Sequence, residues 1–375
     1  MKFSEFLDVR DGTHDSPKRV NIGKKLITTK NLEDNRIDFT NAKNISLNDF
    51  KRINERSKVD QFDILLSMIG TVGNVYQERS AFPDYAIKNL ALLKFHGDEL
   101  LSNWMNYYLQ SKKGQSKIHQ RLSGSTQQYI SLTDLRNIEI TLPNRDQMEL
   151  CIKPLRYLDD LILKNNQIND NLVELINLIY LKFCADFPAK EKVSLDDVFN
   201  TSTKTFNVNE NKNINIWHFS IPNFDCNKQP QCESTNSIKS NKKKVNSFGV
   251  LVSKLNPNFK RIWAPNLDFY SNYSPIASPE FIQINGNSQE EQALIFCILN
   301  SEEYTDFLVS NATGSTNSRQ RVKPKIAVSY IIPFDLDKKK GLESLVSPIL
   351  KDIQQREFEN TKLQIIKDTL LNKYF

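Results

Sequence analysis

The chain contains a module of about 190 residues written twice, and that repetition restricts its possible folds more than any other feature. Gly124-Ser125-Thr126 recurs as Gly314-Ser315-Thr316, 190 positions on, and Ile138-Glu139-Ile140-Thr141-Leu142-Pro143 pairs with Val328-Ser329-Tyr330-Ile331-Ile332-Pro333 at the same separation. Asn106-Tyr107-Tyr108-Leu109 matches Phe296-Cys297-Ile298-Leu299, and Asp63-Ile64-Leu65-Leu66-Ser67 resembles Gly249-Val250-Leu251-Val252-Ser253. One offset kept by the first three pairs, with the fourth in the same order, implies two copies of one architecture, each large enough to bury a core of its own.

Within each copy, short β-type runs with turn punctuation lead to a helix, a Gly-Ser-Thr loop, one more strand and a long helix. In the first copy the runs are residues 25–29, 64–69 and 90–95, followed by a helix over 101–109. In the second they are 216–221, 250–255 and 281–284, with a helix over 290–299. The expected fold is α+β: two similar mixed domains in a pseudo-twofold arrangement, joined by two long antiparallel coiled-coil helices. The boundaries expected are 1–144 and 188–336 for the domains, with 145–187 and 337–375 for the helices.

The first long helix presents Leu158, Leu161, Asn165, Ile168, Leu172, Leu175 and Ile179 at alternating three- and four-residue steps, a coiled-coil seam with one polar member. Asn165 at such a position either fixes register or is simply solvated. The second long helix offers Leu350, Ile353, Leu363, Ile366 and Leu370 on a less regular stripe. Two helices of ~28 residues would be ~42 Å long. Packed antiparallel, they would separate two reading surfaces by roughly one duplex turn, ~34 Å, so a gapped DNA target is expected.

Composition narrows the class without choosing it. Thirty-nine per cent hydrophobic and 25% charged residues describe a folded globular chain, and no apolar run approaches a membrane span. The N-terminus has no signal-peptide grading, so the cytoplasm is the expected location. Five cysteines without a CxxC pair point to reduced thiols; Cys226 and Cys232 with His218 could ligate a metal, but scattered reduced cysteines are far more common and no metal is expected. A net charge of +6 is compatible with a polyanionic partner.

The candidate DNA-contacting residues fall in polar, glycine-punctuated loops. The first runs from Arg10 to Arg19 and offers Thr13, His14, Ser16, Lys18 and Arg19. Lys30 and Asn31, then Thr71 in Gly70-Thr71-Val72-Gly73, follow, and Ser125, Thr126, Gln127 and Gln128 form the loop before the last strand. Glutamine can pair bidentately with adenine, and lysine and arginine with phosphates. In the second copy the candidates are Lys254, Lys260, Arg261, Ser315, Thr316, Asn317, Arg319 and Arg321, with the Lys242-Lys243-Lys244 run as either a solvated loop or a basic contact. Different side chains at equivalent places imply different half-sites.

On these residues the chain resembles the specificity subunit of type I restriction-modification systems. The resemblance is carried by Asp11-Gly12-Thr13-His14-Asp15-Ser16-Pro17-Lys18, Leu26-Ile27-Thr28-Thr29-Lys30-Asn31-Leu32, Asp63-Ile64-Leu65-Leu66-Ser67, Gly70-Thr71-Val72-Gly73 and Gln127-Gln128. The segment Asn256-Pro257-Asn258-Phe259-Lys260-Arg261-Ile262-Trp263 is similar to a second recognition domain. The resemblance implies a subunit without catalytic activity that reads a bipartite double-stranded DNA site, seats two methyltransferase subunits on its helices and is joined by restriction subunits. S-adenosylmethionine, ATP and Mg2+ would then be handled by those partners and not by this chain. Three departures stand out: Phe62 precedes Asp63 where the family often has glycine, Asn317-Ser318 replaces the glutamine pair in the second copy, and the stretch from Pro154 to Phe183 is two residues longer than that from Pro348 to Phe375.

An enzyme reading finds no chemistry to build on: no Asn-Pro-Pro-Tyr or Asp-Pro-Pro-Tyr tetrapeptide, no phosphate loop and no dinucleotide fingerprint are present. Pro83-Asp84 with Lys88 lacks the second acidic residue a nuclease needs. The other alternative is a helical interaction scaffold whose lobes bind protein.

Overall fold

The computed structural model describes residues 1–33, 35–201, 203–314 and 320–375. The chain divides into two compact units, residues 1–160 with 363–375, and residues 161–362. Both are α+β.

In the first unit Asp8–Asp11, Leu90–Lys94, Ile64–Ser67 and Val75–Gln77 form an antiparallel sheet in that order. Ile64, Leu66, Ala91 and Leu93 pack on the helix Glu99–Gln110, whose Trp104, Met105 and Leu109 are buried with them. Asp98 caps that helix, accepting from the Leu101 amide at 3.1 Å, which satisfies one of the four orphan amides of a helix start. A second sheet joins Lys43–Ile45, Lys24–Ile27 and Tyr85–Ile87, the last two parallel. Leu65 and Leu92 face it from the opposite side of the first sheet, so both faces of these central strands are buried. That explains their continuous apolar runs.

The second unit repeats the plan. Ile262–Trp263, Gly249–Ser253 and Phe281–Asn285 form one antiparallel sheet, covered by the helix Gln289–Leu299 with a Ser288 cap. Thr205–Phe206, Lys242–Lys244, Ser274–Ala277, Asn215–Phe219 and Gln231–Ser234 form the other sheet. The three lysines at 242–244 are therefore a strand rather than a solvated loop, and burial lowers the pKa of Lys242 and Lys243.

The single offset of 190 needs correcting. It holds for the helix caps Asp98 and Ser288, and for Ser111 and Ser301. After the Gly-Ser-Thr loop it becomes 192: Phe3 donates to the Ile138 carbonyl and Ile140 to that of Met1, while Leu195 donates to Tyr330 and Ile332 to Val193. Ile138 thus corresponds to Tyr330. The two extra residues lie between the bridges Ser123↔Tyr129 and Thr313↔Arg321. The expected last strand is also absent as a regular element, because its partner segment extends alongside for only one bridge in each copy, Lys2↔Glu139 and Ser194↔Ile331.

The long helices span Arg145–Asp186 and Lys339–Tyr374, and each carries an internal proline, Pro154 and Pro348. In the second unit they run antiparallel: Asn165 Nδ2 donates to Asn360 Oδ1 at 2.9 Å and to Glu359 Oε2 at 3.1 Å, Asn360 Nδ2 donates to Asn166 Oδ1 at 2.9 Å, and Asn169 approaches the Ile353 carbonyl. In the first unit Lys367 donates to Asp159 at 2.6 Å, and Asp159 also accepts from Tyr107 Oη at 2.7 Å.

The predicted seam is displaced by one residue. Leu158 and Ile353 are buried, Leu161, Leu172, Ile179, Leu363 and Leu370 are half-buried, but Ile168, Leu175 and Ile366 are exposed. The buried positions are instead Asn169, Ile176, Tyr180 and Phe183 on one helix and Asn360, Lys367 and Leu371 on the other. A search for apolar periodicity passes over asparagine and lysine, yet here Asn169 Nδ2, the Asn360 amide and Lys367 Nζ each find a partner across the seam, which makes their burial tolerable.

One departure in the sequence has a structural explanation. Phe62 has φ of +70°, a region that favours glycine, and its carbonyl accepts from Ser102 Oγ while its amide donates to Glu78. The aromatic residue is held there by hydrogen bonds on both sides of its backbone.

Candidate nucleic-acid interface

Four loop segments of the first unit converge on a cleft of about 540 Å³. Among its lining residues are Ser16, Lys30, Thr71 and Gln127, one from each segment that the sequence singled out. Backbone constraints bring them together. Thr13 donates to the Ile87 carbonyl at 3.0 Å, and Gly12 lies so close to that strand end that a Cβ would sit 2.5 Å from the Ile87 oxygen. Gly70, with φ of +82°, donates to the Gln128 carbonyl at 3.2 Å, and Ile69 bridges to Tyr129. The Gly-Ser-Thr loop is thereby fastened to the end of the Ile64–Ser67 strand.

Lys43, Lys88 and Asn89 also line the cleft, and loop-based reasoning missed them. Lys88 and Asn89 sit in the turn between two buried strands, Tyr85–Ile87 and Leu90–Lys94, where the only clue was a polar dipeptide interrupting an apolar run. Lys88 donates to Ser16 Oγ at 2.5 Å, and Lys43 donates to the Pro17 carbonyl. Both ammonium groups are thus held by uncharged oxygens and keep their charge available to an anion. Lys30 is exposed at the rim.

The remaining first-unit candidates divide by burial. His14 is exposed but tethered, with Nδ1 3.0 Å from Asn89 Oδ1 and Nε2 2.9 Å from Asp11 Oδ2. Lys18, Arg19, Ser125, Thr126 and Gln128 are exposed on their loops without lining the cleft. Asn31 does not belong to the surface set. It is 5% exposed, its Oδ1 accepts from the Thr28 amide and hydroxyl, and its Nδ2 donates to the Asp38 carbonyl. Its side chain closes a turn.

In the second unit the equivalent corner is built by the bridge Leu255↔Arg321, and the basic residues there are paired with acids. Arg321 makes a forked contact with Glu280 at 2.9 and 3.2 Å, and Lys254 Nζ lies 4.0 Å from the same carboxylate. Arg261 grips Asp225 at 2.5 and 2.8 Å, lies against the Phe259 ring at 5.0 Å, and has a side chain only 11% exposed. That removes Arg261 from the base-contact set: its donors are spent on tying the 255–261 loop to the neighbouring helix Ile221–Asn227. Lys260 is half-buried, and burial holds its pKa below the usual range. Ser315, Thr316, Asn317 and Arg319 lie outside the described residues.

His218 faces Glu233, with Nδ1 3.2 Å from its carboxylate, and among the described residues no group of three His, Cys, Asp or Glu is placed to hold a metal ion. No helix of the described residues is long and apolar enough to cross a membrane.

Comparison with known proteins places this geometry. Residues 18–174 match the sequence model of the type I restriction modification DNA specificity domain. That stretch of the chain is similar to a DNA specificity domain of type I restriction-modification systems. The match takes in Lys30, Thr71 and Gln127, three of the four predicted residues that meet in the cleft. Over its full length the chain has the fold of a type I specificity subunit: the crystal structure of the S subunit from M. genitalium aligns with 100% of this chain and 95% of its own, at 15% identity and a TM-score of 0.50. The HsdS subunit from Thermoanaerobacter tengcongensis aligns over 100% and 95% at 11% identity and a TM-score of 0.33. No curated protein matches the chain.

Proposed function

We propose that this chain is the DNA-recognition subunit of a type I restriction-modification complex, each unit reading one half of a bipartite double-stranded site and the long helices seating two methyltransferase subunits. The observation that carries the reading is the cleft of the first unit. Segments some 110 residues apart in sequence bring hydroxyl, amide and ammonium groups to one concave surface, the mixture that backbone positioning and base readout require. The specificity subunits of this family are non-catalytic; on this reading the chain binds no S-adenosylmethionine, ATP or Mg2+ itself, and methyltransferase and restriction subunits supply that chemistry in the cytoplasm.

Support for the seating role comes from the apolar residues the helices leave uncovered. Leu163, Ile168, Leu175, Leu178 and Leu181 are all exposed on the first long helix within the second unit. Such a row on one helix is a docking surface in search of a second helix. A salt titration of DNA binding by the full chain tests the recognition role. Affinity falling steeply with rising salt is the expected result, because each phosphate contact releases counterions. Binding insensitive to salt would favour an apolar protein-binding scaffold instead.

A further inference from the structure

Resting on that DNA-reading role, we propose that Asn89 and Glu280, which occupy the same place in the two copies, are base-reading residues, Asn89 for adenine in one half-site and Glu280 for cytosine in the other.

Their equivalence follows from strand register. Ser67 faces Leu90 and Ser253 faces Phe281, so Asn89 and Glu280 each immediately precede the residue opposite that serine. Two residues beyond each serine, Ile69 and Leu255 bridge to the ends of the respective recognition loops at Tyr129 and Arg321. Both positions therefore lie where a buried central strand emerges beside the loop that closes each corner. They are the turn residues from which those buried strands start.

Both backbones are fixed from two sides. Asn89, with φ of +55°, donates to the Thr13 carbonyl at 3.2 Å and accepts from Thr29 Oγ1 at 3.4 Å. Glu280 accepts from the Lys254 amide at 3.0 Å and donates to Ser278 Oγ at 3.3 Å. Their side chains are fixed as well, Asn89 by His14 and Glu280 by the Arg321 fork. Preorganisation of this kind is what base discrimination needs, since a wandering side chain accepts the wrong base as readily as the right one.

Chemistry separates the two. A carboxylate on a face otherwise supplied with Lys254 and Arg321 repels phosphate, so its presence there is informative. An ionised carboxylate only accepts hydrogen bonds, and of its four lone-pair positions the arginine fork uses two. In the major groove a cytosine N4 amino group is the donor it matches. Asn89 retains its amide donors and a second lone pair on Oδ1, the complement of adenine, whose N7 accepts and whose N6 amino group donates. Exchange of asparagine for glutamate at one position would make the two halves of the target differ.

The test is the sequence preference of the assembled complex, read by mapping methylated adenines on random DNA, for wild type, Asn89→Ala, Glu280→Gln and Glu280→Asp. For Glu280→Gln the expected result is loss of preference by tenfold or more at one base pair of one half-site, with the other half-site unchanged. Asn89→Ala should do the same in the opposite half. Glu280→Asp keeps the charge and guards against misfolding; it should retain the cytosine with reduced discrimination. Unchanged motifs in folded variants would overturn the inference. Tighter binding to every sequence in Glu280→Gln would overturn it too, making Glu280 a shield over Arg321. A wild-type complex with no two-part motif would instead refute the underlying reading, and this inference with it.

Discussion

The two units solve the same folding problem with opposite electrostatics. At the end of the central strand pair, the first unit buries Lys94 against Asp63 at 2.7 Å, with Asp60 at 2.8 Å; the second places Asn285 opposite Gly249, with Asn285 donating to the Asn200 carbonyl at 2.9 Å. At the corner beside the recognition loop the pattern reverses. The lysines of the first unit rest on a hydroxyl and a carbonyl, while Lys254 and Arg321 of the second share a carboxylate. At these two places the first unit has a buried charge pair and lysines held by uncharged oxygens, whereas the second has a neutral hydrogen bond and basic groups balanced by a carboxylate. On the proposed reading, the first should grip phosphates more strongly and the second should depend more on the identity of bases.

The largest expected difference is in stability. Lys94→Ala leaves the Asp63 carboxylate, whose side chain is 1% exposed, with backbone amides but without that cation, and should cost about 3–5 kcal/mol. Asn285→Ala removes a neutral hydrogen bond and should cost about 1 kcal/mol. Chemical denaturation of the full chain measures both, and equal losses would break the contrast between the scaffolds.

Next comes the salt dependence of DNA binding. Replacing Lys30 and Lys88 together by alanine should lower the slope of log affinity against log salt by about 2, roughly one for each phosphate that is no longer neutralised. Arg321→Ala should change the slope by less than about 1, because its charge is already balanced by Glu280. A larger effect from Arg321 would mean that the carboxylate leaves when DNA arrives, and the corner would be an exchangeable pair rather than a fixed one.

The smallest difference is in pH response, and it has opposite signs. In the first unit the hydrogen-bonded Arg145 guanidinium holds Asp98 below its ordinary pKa, so its stabilising contribution is present at neutral pH and is lost as pH falls through the lowered value. In the second, burial raises Glu357 to about 7, so its contribution is complete below the ordinary carboxylate range and is lost as pH rises through about 7. Glu357→Gln should remove that loss between pH 5 and 8, followed by thermal denaturation across pH; an unchanged profile would assign the titration elsewhere.

Much of this organisation was legible because strand and helix periodicities leave direct marks. The buried runs at Ile64–Ser67, Leu90–Lys94, Gly249–Ser253 and Phe281–Asn285 lie within or close to the segments read from sequence. The helix seam was misread by one residue because Asn169, Asn360 and Lys367 occupy it, and polar residues carry no apolar signal until their partners are known. The repeat offset slipped for a similar reason: Ile138 and Val328 look alike in sequence, but hydrogen bonding equates Ile138 with Tyr330. Arg261 and Asn31 have the composition of DNA contacts and the geometry of loop fasteners. Lys43, Lys88 and Asn89 reach the cleft only through strand pairing, a long-range property that no local pattern reports.

The most direct test of the two-reader account is the methylation map of the wild-type chain assembled with the methyltransferase subunits that the proposed function expects. Methylated adenines should fall within two short, unlike sequence blocks separated by a gap of fixed length and undefined sequence. A single continuous motif, or methylation without sequence preference, would contradict it.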